Sequence, residues 1–394
     1  MRFAVQNPYA WLGKNSLHPY VGEFILQYKP LLYFNDMKLW ALFCARFAKE
    51  YGPLAMAGML PRTVFDLASL NEKADVLLCF NGEAENPKGR APAGFGGLKI
   101  FHVMDHFRNA SAQYRALREG GVQYVMGYGD HAKCDPFFQK FYPEYAGRVI
   151  PVPFSYGERF ADFTPFLSRH NKCVAIGSIT PFVDEQALAD GRMGLERMAP
   201  EAREFFGGKY LQPFRCALRE NEESLHLIMD SFLPGAKLAP LYKPTPLPDK
   251  SWMPKLRLDR KMEGKRFDYN MVDVLNQYRM YTSCESVFTV AYAKTYEGCA
   301  AGCALACADL DCFADLGFED GKNCLMHRRN DVAHFKERVE WGIAHPDELE
   351  QIARAGKEMV REKYSSGAVA QRLHEDIGRI FTEWEKEQGR QIDL

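Results

Sequence analysis

The residues most able to do chemistry lie in the stretch Tyr278–Asp309, YRMYTSCESVFTVAYAKTYEGCAAGCALACAD. One carboxylate, Glu297, enters a run of small apolar residues, and small residues let backbone approach a ligand closely. A carboxylate in such surroundings needs a partner, because burying it unpaired costs several kcal/mol or forces protonation. A ribose, with two adjacent hydroxyls, is such a partner. Three residues earlier stands a cation, Lys294, at the start of a predicted helix. Two further groups complete the set. Asp105–His106 closes the strand-like run KIFHVM, a position where a general base is often found. Gly177–Ser178 follows KCVAI, and a Gly-Ser turn exposes backbone N–H groups suited to diphosphate oxygens.

The elements that must hold these residues read as strands alternating with helices. Met1–Val5, Leu31–Phe34, Leu54–Met59, Ala74–Phe80, Lys99–Met104 and Val122–Met126 are strand-like apolar runs, and Met37–Lys49 is helical between two of them. That alternation predicts a parallel sheet wrapped by helices. The loop Gln6–Leu17, with Gly13 and Lys14, then lies at the carboxyl end of a strand, where α/β proteins bind ligands. It lacks the G-x-G-x-x-G spacing of a dinucleotide fingerprint. Arg148–Phe154 (RVIPVPF) carries two prolines and reads as an edge strand or linker. The sheet pattern restarts at Lys172–Ile176, Ser224–Phe232 reads as a buried helical segment, and Pro234–Pro254 as a long proline-rich loop. Phe267–Tyr278 is a helix by its period, and Asp331–Ala344, Asp347–Tyr364 and Ser366–Gln388 are charged amphipathic helices.

Composition limits the functions available. The chain has 394 residues, 47% hydrophobic and 26% charged, with a net charge of −1. That describes a globular protein with ample core and no general affinity for nucleic acid. The basic run Lys250–Arg266 suits an anion or a solvated loop. The opening MRFAVQNP shows no apolar leader, and eleven cysteines, an odd number, fit free thiols in a reducing cytoplasm. Cys299, Cys303, Cys307 and Cys312 approach metal-ligand spacing but form no C-x-x-C pair, so they read as buried small hydrophobes. Asp309–Leu310–Asp311 has the letters of a metal motif but the position of a loop. His102 alternates away from Asp105 and reads as a hydrogen-bonded core histidine. No 18-residue apolar run is present.

From about Val149 onward, the order of landmarks resembles the GT-B glycosyltransferases, in particular the retaining, group 1 and spore-maturation-type proteins. The landmarks are the linker Val149–Phe154, the turn Ala175–Gly177, the core Lys294–Gly302 (KTYEGCAAG, with lysine where relatives carry arginine) and the turn Phe318–Leu325 (FEDGKNCL). The resemblance implies two Rossmann-like α/β domains facing a cleft. Residues 1–160 would bind the acceptor and 161–370 the nucleotide sugar, while a C-terminal helix, 371–394, crosses back to the first domain. It implies that Glu297 binds the donor ribose, that Lys294 contacts phosphate, and that Thr295 and Tyr296 share the donor site with Gly177 and Ser178. Gly13, Lys14, Asp105 and His106 then border the cleft from the acceptor side. Many relatives carry a second acid eight residues before the core glutamate, and Thr289 stands there.

The implied activity is transfer of a sugar from a nucleotide diphosphate sugar to a hydroxyl acceptor, a glycan or glycolipid precursor of cell-surface polysaccharide. Anomeric retention follows from the resemblance. No metal and no cofactor are called for, and peripheral membrane contact is compatible with such an acceptor. A nucleotide-sugar epimerase and a non-catalytic nucleotide- or glycan-binding relative are the alternatives.

Overall fold

A computed structural model describes the chain except for residues 83–88, 104, 192–193, 195–197, 244–268, 284–285 and 390–394. The side chains of residues 10, 81 and 82 are likewise outside the description. The basic run Lys250–Arg266 and most of the proline-rich loop therefore lie beyond the described residues.

Twelve strands are described: β1 (Phe3–Gln6), β2 (Leu31–Tyr33), β3 (Thr63–Val64), β4 (Val76–Gly82), β5 (Leu98–Val103), β6 (Tyr124–Gly127), β7 (Val149–Pro151), β8 (His170–Ala175), β9 (Met229–Ser231), β10 (Tyr278–Thr282), β11 (Ala304–Ala308) and β12 (Leu325–His327). They form two all-parallel sheets, ordered β3-β2-β1-β4-β5-β6-β7 and β12-β11-β10-β8-β9. Their central strands are near-continuous apolar runs, as strands covered on both faces must be. In β5 every residue is buried, including Lys99, whose ammonium is steered to the Pro92 and Ala93 carbonyls. β7, which ends in Pro151, is the edge of the first sheet, the place where a missing N–H does least harm.

Each sheet has one place where the chain reverses its direction of winding. In the first it falls between β1 and β4, in the second between β8 and β10. Loops leaving the two strands at such a point diverge to opposite faces and open a crevice at the carboxyl ends.

Three segments differ from the sequence reading. Leu54–Met59 is not a strand: Pro53–Met59 is a helix, with proline in the first turn where its missing N–H goes unneeded. Ser224–Phe232 divides into a short helix, Glu222–Leu225, and β9, because the outer position beside β8 is filled by extended chain. The period read as helix up to Tyr278 ends earlier, with helix only at Met271–Leu275, and Tyr278 opens β10.

The segment joining the sheets is clamped by Arg169. Its guanidinium is fully buried and holds Asp162 Oδ1 (2.6 Å) and the carbonyls of Thr164, Leu275 and Ala301. Lys357 grips the other oxygen of Asp162 at 2.7 Å. Gly302 must be glycine here. Its φ is +81°, it closes the helix Ala293–Ala300 in a Schellman turn, and a Cβ would sit 2.6 Å from the Asp162 carboxylate. The last helix, Ser366–Glu387, runs back along Tyr20–Tyr28 of the first sheet's layer. His374 stacks on Tyr28 at 4.0 Å, and Trp384 is buried. Removing the Arg169 cation leaves Asp162 and three carbonyls short of their partner, so Arg169→Met is expected to lower unfolding free energy by about 3–5 kcal/mol in urea titration.

Candidate functional site

The site is built at the switch point of the second sheet. β8 ends at Ala175, and the chain turns at Gly177 with φ +135°. The turn cannot carry a side chain, because a Cβ there would lie 2.6 Å from Cζ of Arg215. Arg215 comes from the helix Pro213–Glu220, is 4% exposed, and donates from Nη1 to the Ser178 carbonyl at 2.8 Å. A buried cation thus lies against the Gly177–Ser178 backbone. Nothing in the sequence pairs Arg215 with Gly177; the only signal is an arginine among the buried residues Phe214, Cys216 and Leu218.

From β10 the chain passes through a loop into the helix Ala293–Ala300, and Lys294 and Glu297 occupy its first turns, both half-buried. Burial raises the carboxyl of Glu297 above its ordinary value, and the cations of Lys294 and Arg159 pull it back. Arg159 belongs to the linker and was not singled out by sequence. Its N–H donates to Asn15 Oδ1 at 3.1 Å, while Lys14 Nζ meets Glu158 at 3.5 Å. The Gly13–Lys14 loop is therefore laced to the linker, and the linker cation faces Glu297. Gly13 itself, at φ +124°, faces the Glu50 carboxylate.

The rest of the helix's first turns serves the core. Thr295 is fully buried and its carbonyl accepts from Tyr281 OH at 2.5 Å. Tyr296 is fully buried, its ring 4.9 Å from Tyr364. Gly298 lets the helix lie on β10, since a Cβ would fall 2.2 Å from the Tyr281 ring.

Asp105 and His106 point different ways. Asp105 is half-buried, pairs with Arg108 at 3.0 Å, and its charge raises the phenols of Tyr128 and Tyr292 after the larger effect of burial. Tyr292 caps the Lys294 helix and also feels Arg215, so it stands between the two layers. His106 turns into the core, its Nε2 2.6 Å from Asp135 Oδ2, ringed by Phe107, Phe138 and Phe288. With His131 it forms the one cluster, among the described residues, whose ligand atoms fall within 4.8 Å of one another. The cluster suits a proton better than a metal. Tyr128 N–H donates to His131 Nε2, which places that ring's proton on Nδ1, and Asp135 uses both oxygens, on His106 and on Phe137 N–H. His102 is buried as the sequence suggested, but it packs by its ring against His18 and Phe80, and neither nitrogen has a hydrogen-bond partner among the described residues.

Thr289, where the resemblance implies an acid, has φ +49°, a conformation β-branched residues avoid. Its hydroxyl donates to the Cys134 carbonyl of the first layer at 2.6 Å, and neighbouring Phe288 stacks on Phe107 at 4.5 Å. With Lys133–Asp315 at 2.8 Å, this loop joins the two layers beside the crevice. The ten described cysteines are all free, and Cys303 donates to the Leu275 carbonyl rather than facing a ligand.

Residues 245–375 match a family model described as glycosyl transferase-like. Over nearly the whole chain the fold is similar to that of the Anabaena protein HepE, solved in complex with UDP, with 9% identity, 96% of this chain and 100% of that one covered, and a TM-score of 0.50. The fold is the GT-B architecture of two parallel sheets, and residues 245–375 resemble a glycosyl transferase-like family. Sucrose-phosphate synthase from Thermosynechococcus elongatus (9% identity, 97% and 100% covered, TM-score 0.48) and a Rickettsia africae glycosyltransferase (9%, 97% and 98%, 0.47) are also similar. No curated protein matches the chain. Among the described residues, no helix of the chain is long and apolar enough to cross a membrane.

Four histidines are buried in the neutral form. Burial lowers His18 and His131 well below the ordinary value, His102 to about 3 and His327 to about 4. Below pH ~6.5 the unfolded chain protonates them and the folded chain does not, so the unfolded state binds more protons and stability falls as the pH falls. The contribution is complete above pH ~6.5 and declines toward pH ~4, by up to about 1.4 kcal/mol per unit for each histidine. Urea midpoints are expected to drop between pH 7 and pH 5, and His102→Phe to flatten that slope; an unchanged slope would show that His102 titrates normally in the folded protein.

Proposed function

We propose that this protein is a glycosyltransferase that moves a sugar from a nucleotide diphosphate sugar to a hydroxyl of a glycan or glycolipid precursor, with retention and without a metal. The observation that carries the reading is the meeting, at one switch point, of a carboxylate and two cations. Glu297 is suited to accept both ribose hydroxyls, since a carboxylate offers two oxygens and two vicinal hydroxyls offer two donors. Burial raises its carboxyl above the ordinary value, and the cations of Lys294 and Arg159 draw it back toward the charged form a ribose would meet. The diphosphate then extends toward the N-terminus of the helix Ala293–Ala300, where free N–H groups and the helix dipole favour an anion. Lys294, Arg215 and the Gly177–Ser178 backbone are arranged to stabilise the charge that builds on the departing diphosphate. Preorganised charges and N–H groups of this kind are commonly what an active site contributes most to the rate. Thr295 and Tyr296 serve by fixing the helix rather than by touching the donor.

The acceptor enters from the layer of residues 1–160, past Gly13–Lys14 and Asp105, while residues 161–370 hold the donor and 371–394 brace the pair. Of Asp105 and His106, Asp105 is the one assigned to the acceptor hydroxyl, since it is half-buried while His106 is taken up by Asp135. His106, held by Asp135, sets the backbone that presents it. Uridine diphosphate is the nucleotide to test first, given the UDP bound by HepE. The free cysteines suit a reducing cytoplasm.

Glu297→Ala is expected to weaken UDP affinity roughly 100-fold in calorimetry, the loss of about two charge-assisted hydrogen bonds, with little change in melting temperature of the unliganded protein. An unchanged affinity removes the ribose assignment. Asp105→Asn is expected to lower kcat at least tenfold with donor KM within about twofold, whereas a wild-type rate removes Asp105 from the chemistry. Product formed from a nucleotide sugar with no acceptor present would favour the epimerase.

A further inference from the structure

The loop that leads into the helix Ala293–Ala300 reaches across to the first layer, and Phe288 is its fully buried tip. The ring stacks on Phe107 at 4.5 Å and meets His106, Phe137 and Phe206 edge-on at 5.2–5.6 Å. Phe205 and Phe206 end the helix Pro200–Phe206 of the second layer, and Phe137 lies 5.6 and 5.9 Å from them. A second-layer side chain is thus seated in a first-layer socket, within a seam of aromatic rings drawn from both layers. Rings at such separations attract one another beyond the area they bury.

Polar contacts hold the same seam. Thr289 donates from Oγ1 to the Cys134 carbonyl at 2.6 Å, and the Glu201 carboxylate accepts from the Ser111 N–H at 3.2 Å across the layers. The Lys133–Asp315 pair is open to water and contributes little, so the buried rings carry the hold. What the seam positions is the helix of Lys294 and Glu297. Ser286 Oγ accepts from the Phe288 N–H at 3.1 Å and lies 2.8 Å from the Tyr292 hydroxyl. Tyr292 is the N-cap residue of that helix, and its carbonyl takes the Thr295 N–H at 2.9 Å. The socket is therefore linked, through Ser286 and Tyr292, to the turn that carries Lys294. Two α/β layers joined by a linker move against each other by default, unless the interface between them is large and apolar. The strain at Thr289 points the same way, since a loop free to swing would relax from φ +49°.

We propose that Phe288 and Thr289 are positioning residues. Docked in the first layer, they hold the two layers together and fix the N-terminus of the helix Ala293–Ala300 before any nucleotide arrives, so that the crevice is preassembled rather than closed by its ligand. Thr289, at the place where the resemblance implies a sugar-binding acid, is spent on this docking instead. The positioning rests on the donor-site reading, whereas the docking stands without it.

The test combines small-angle scattering and calorimetry on the full chain. Phe288→Ala empties the socket, and Thr289→Val keeps the side-chain shape but removes the hydrogen-bond donor. Thr289 is half-buried, so its variant carries the test even where Phe288→Ala does not fold. The radius of gyration of wild type is expected to stay the same when UDP is added, and that of both ligand-free variants to be larger. UDP affinity is expected to fall about fivefold in Thr289→Val and about tenfold or more in Phe288→Ala, because only a fraction of each variant is then competent to bind. The heat-capacity change of UDP binding is expected to become more negative in Thr289→Val, since binding then buries the seam. A merely structural role would lower the melting temperature and leave that heat-capacity change at its wild-type value. Phe288→Leu, which refills most of the socket, is expected to bind UDP within roughly twofold of wild type. A wild-type radius that shrinks on adding UDP overturns the preassembly, and equal radii in all the ligand-free proteins overturn the docking. Wild-type affinity and heat capacity in both variants overturn the positioning. Absence of UDP binding by wild type overturns the donor-site reading and the positioning with it, while the ligand-free radii still decide the docking.

Discussion

The arrangement around the crevice depends on one buried charge, the guanidinium of Arg169. Fully removed from water, it has to be surrounded by acceptors, and those it takes belong to different parts of the chain: Asp162 and Thr164 of the linker, Leu275 before β10, and Ala301 at the end of the helix that carries Lys294 and Glu297. Satisfying that charge fixes the linker against the helix. Because Arg159 lies three residues before Asp162, the same anchor holds the linker cation near Glu297. The site's electrostatics thus follow from a contact that touches no ligand.

A second constraint is backbone geometry at glycine. Gly177 leaves room for Arg215, Gly298 lets the donor helix settle on the Tyr281 ring, and Gly302 both ends that helix and admits Asp162. The small residues that mark Tyr278–Asp309 in the sequence are not spread evenly in purpose. Gly298 and Gly302 serve packing, whereas Gly177, far away in the chain, makes the space beside the proposed diphosphate. Thr289 is the counter-example. A β-branched residue held at positive φ by a bond to Cys134 stores strain where the two layers meet, and strain of this kind persists only where the surroundings over-determine it.

Much of the architecture was legible. Strand-like runs followed by helices predicted parallel sheets, and two such series predicted two layers. What misled was apolarity without period. Leu54–Met59 looked like a strand because six apolar residues in a row do not distinguish a buried strand from a helix with an exposed apolar face. Ser224–Phe232 failed for the related reason that β9 is only three residues long. For the site, Glu297 and Lys294 could be singled out because a carboxylate and a cation in a small-residue stretch are conspicuous. Arg215, Arg159 and Tyr292 could not, since each gains its meaning from a neighbour distant in the chain.

The sequence alone determined the alternation of elements, the parallel sheets they imply, and the presence of a carboxylate in need of a partner at the start of a small-residue helix. Those are local properties, set by side-chain period and by the cost of burying charge. The tertiary structure decided which groups share the crevice. It turned Asp105 toward Arg108 and His106 into the core, although the two are adjacent, because they lie in a turn beyond β5 where buried Asp135 holds the His106 ring. Among the described residues it also left Leu54 and Leu60 exposed, which no pattern of residues could show, since exposure depends on what the rest of the fold does or does not lay over a helix.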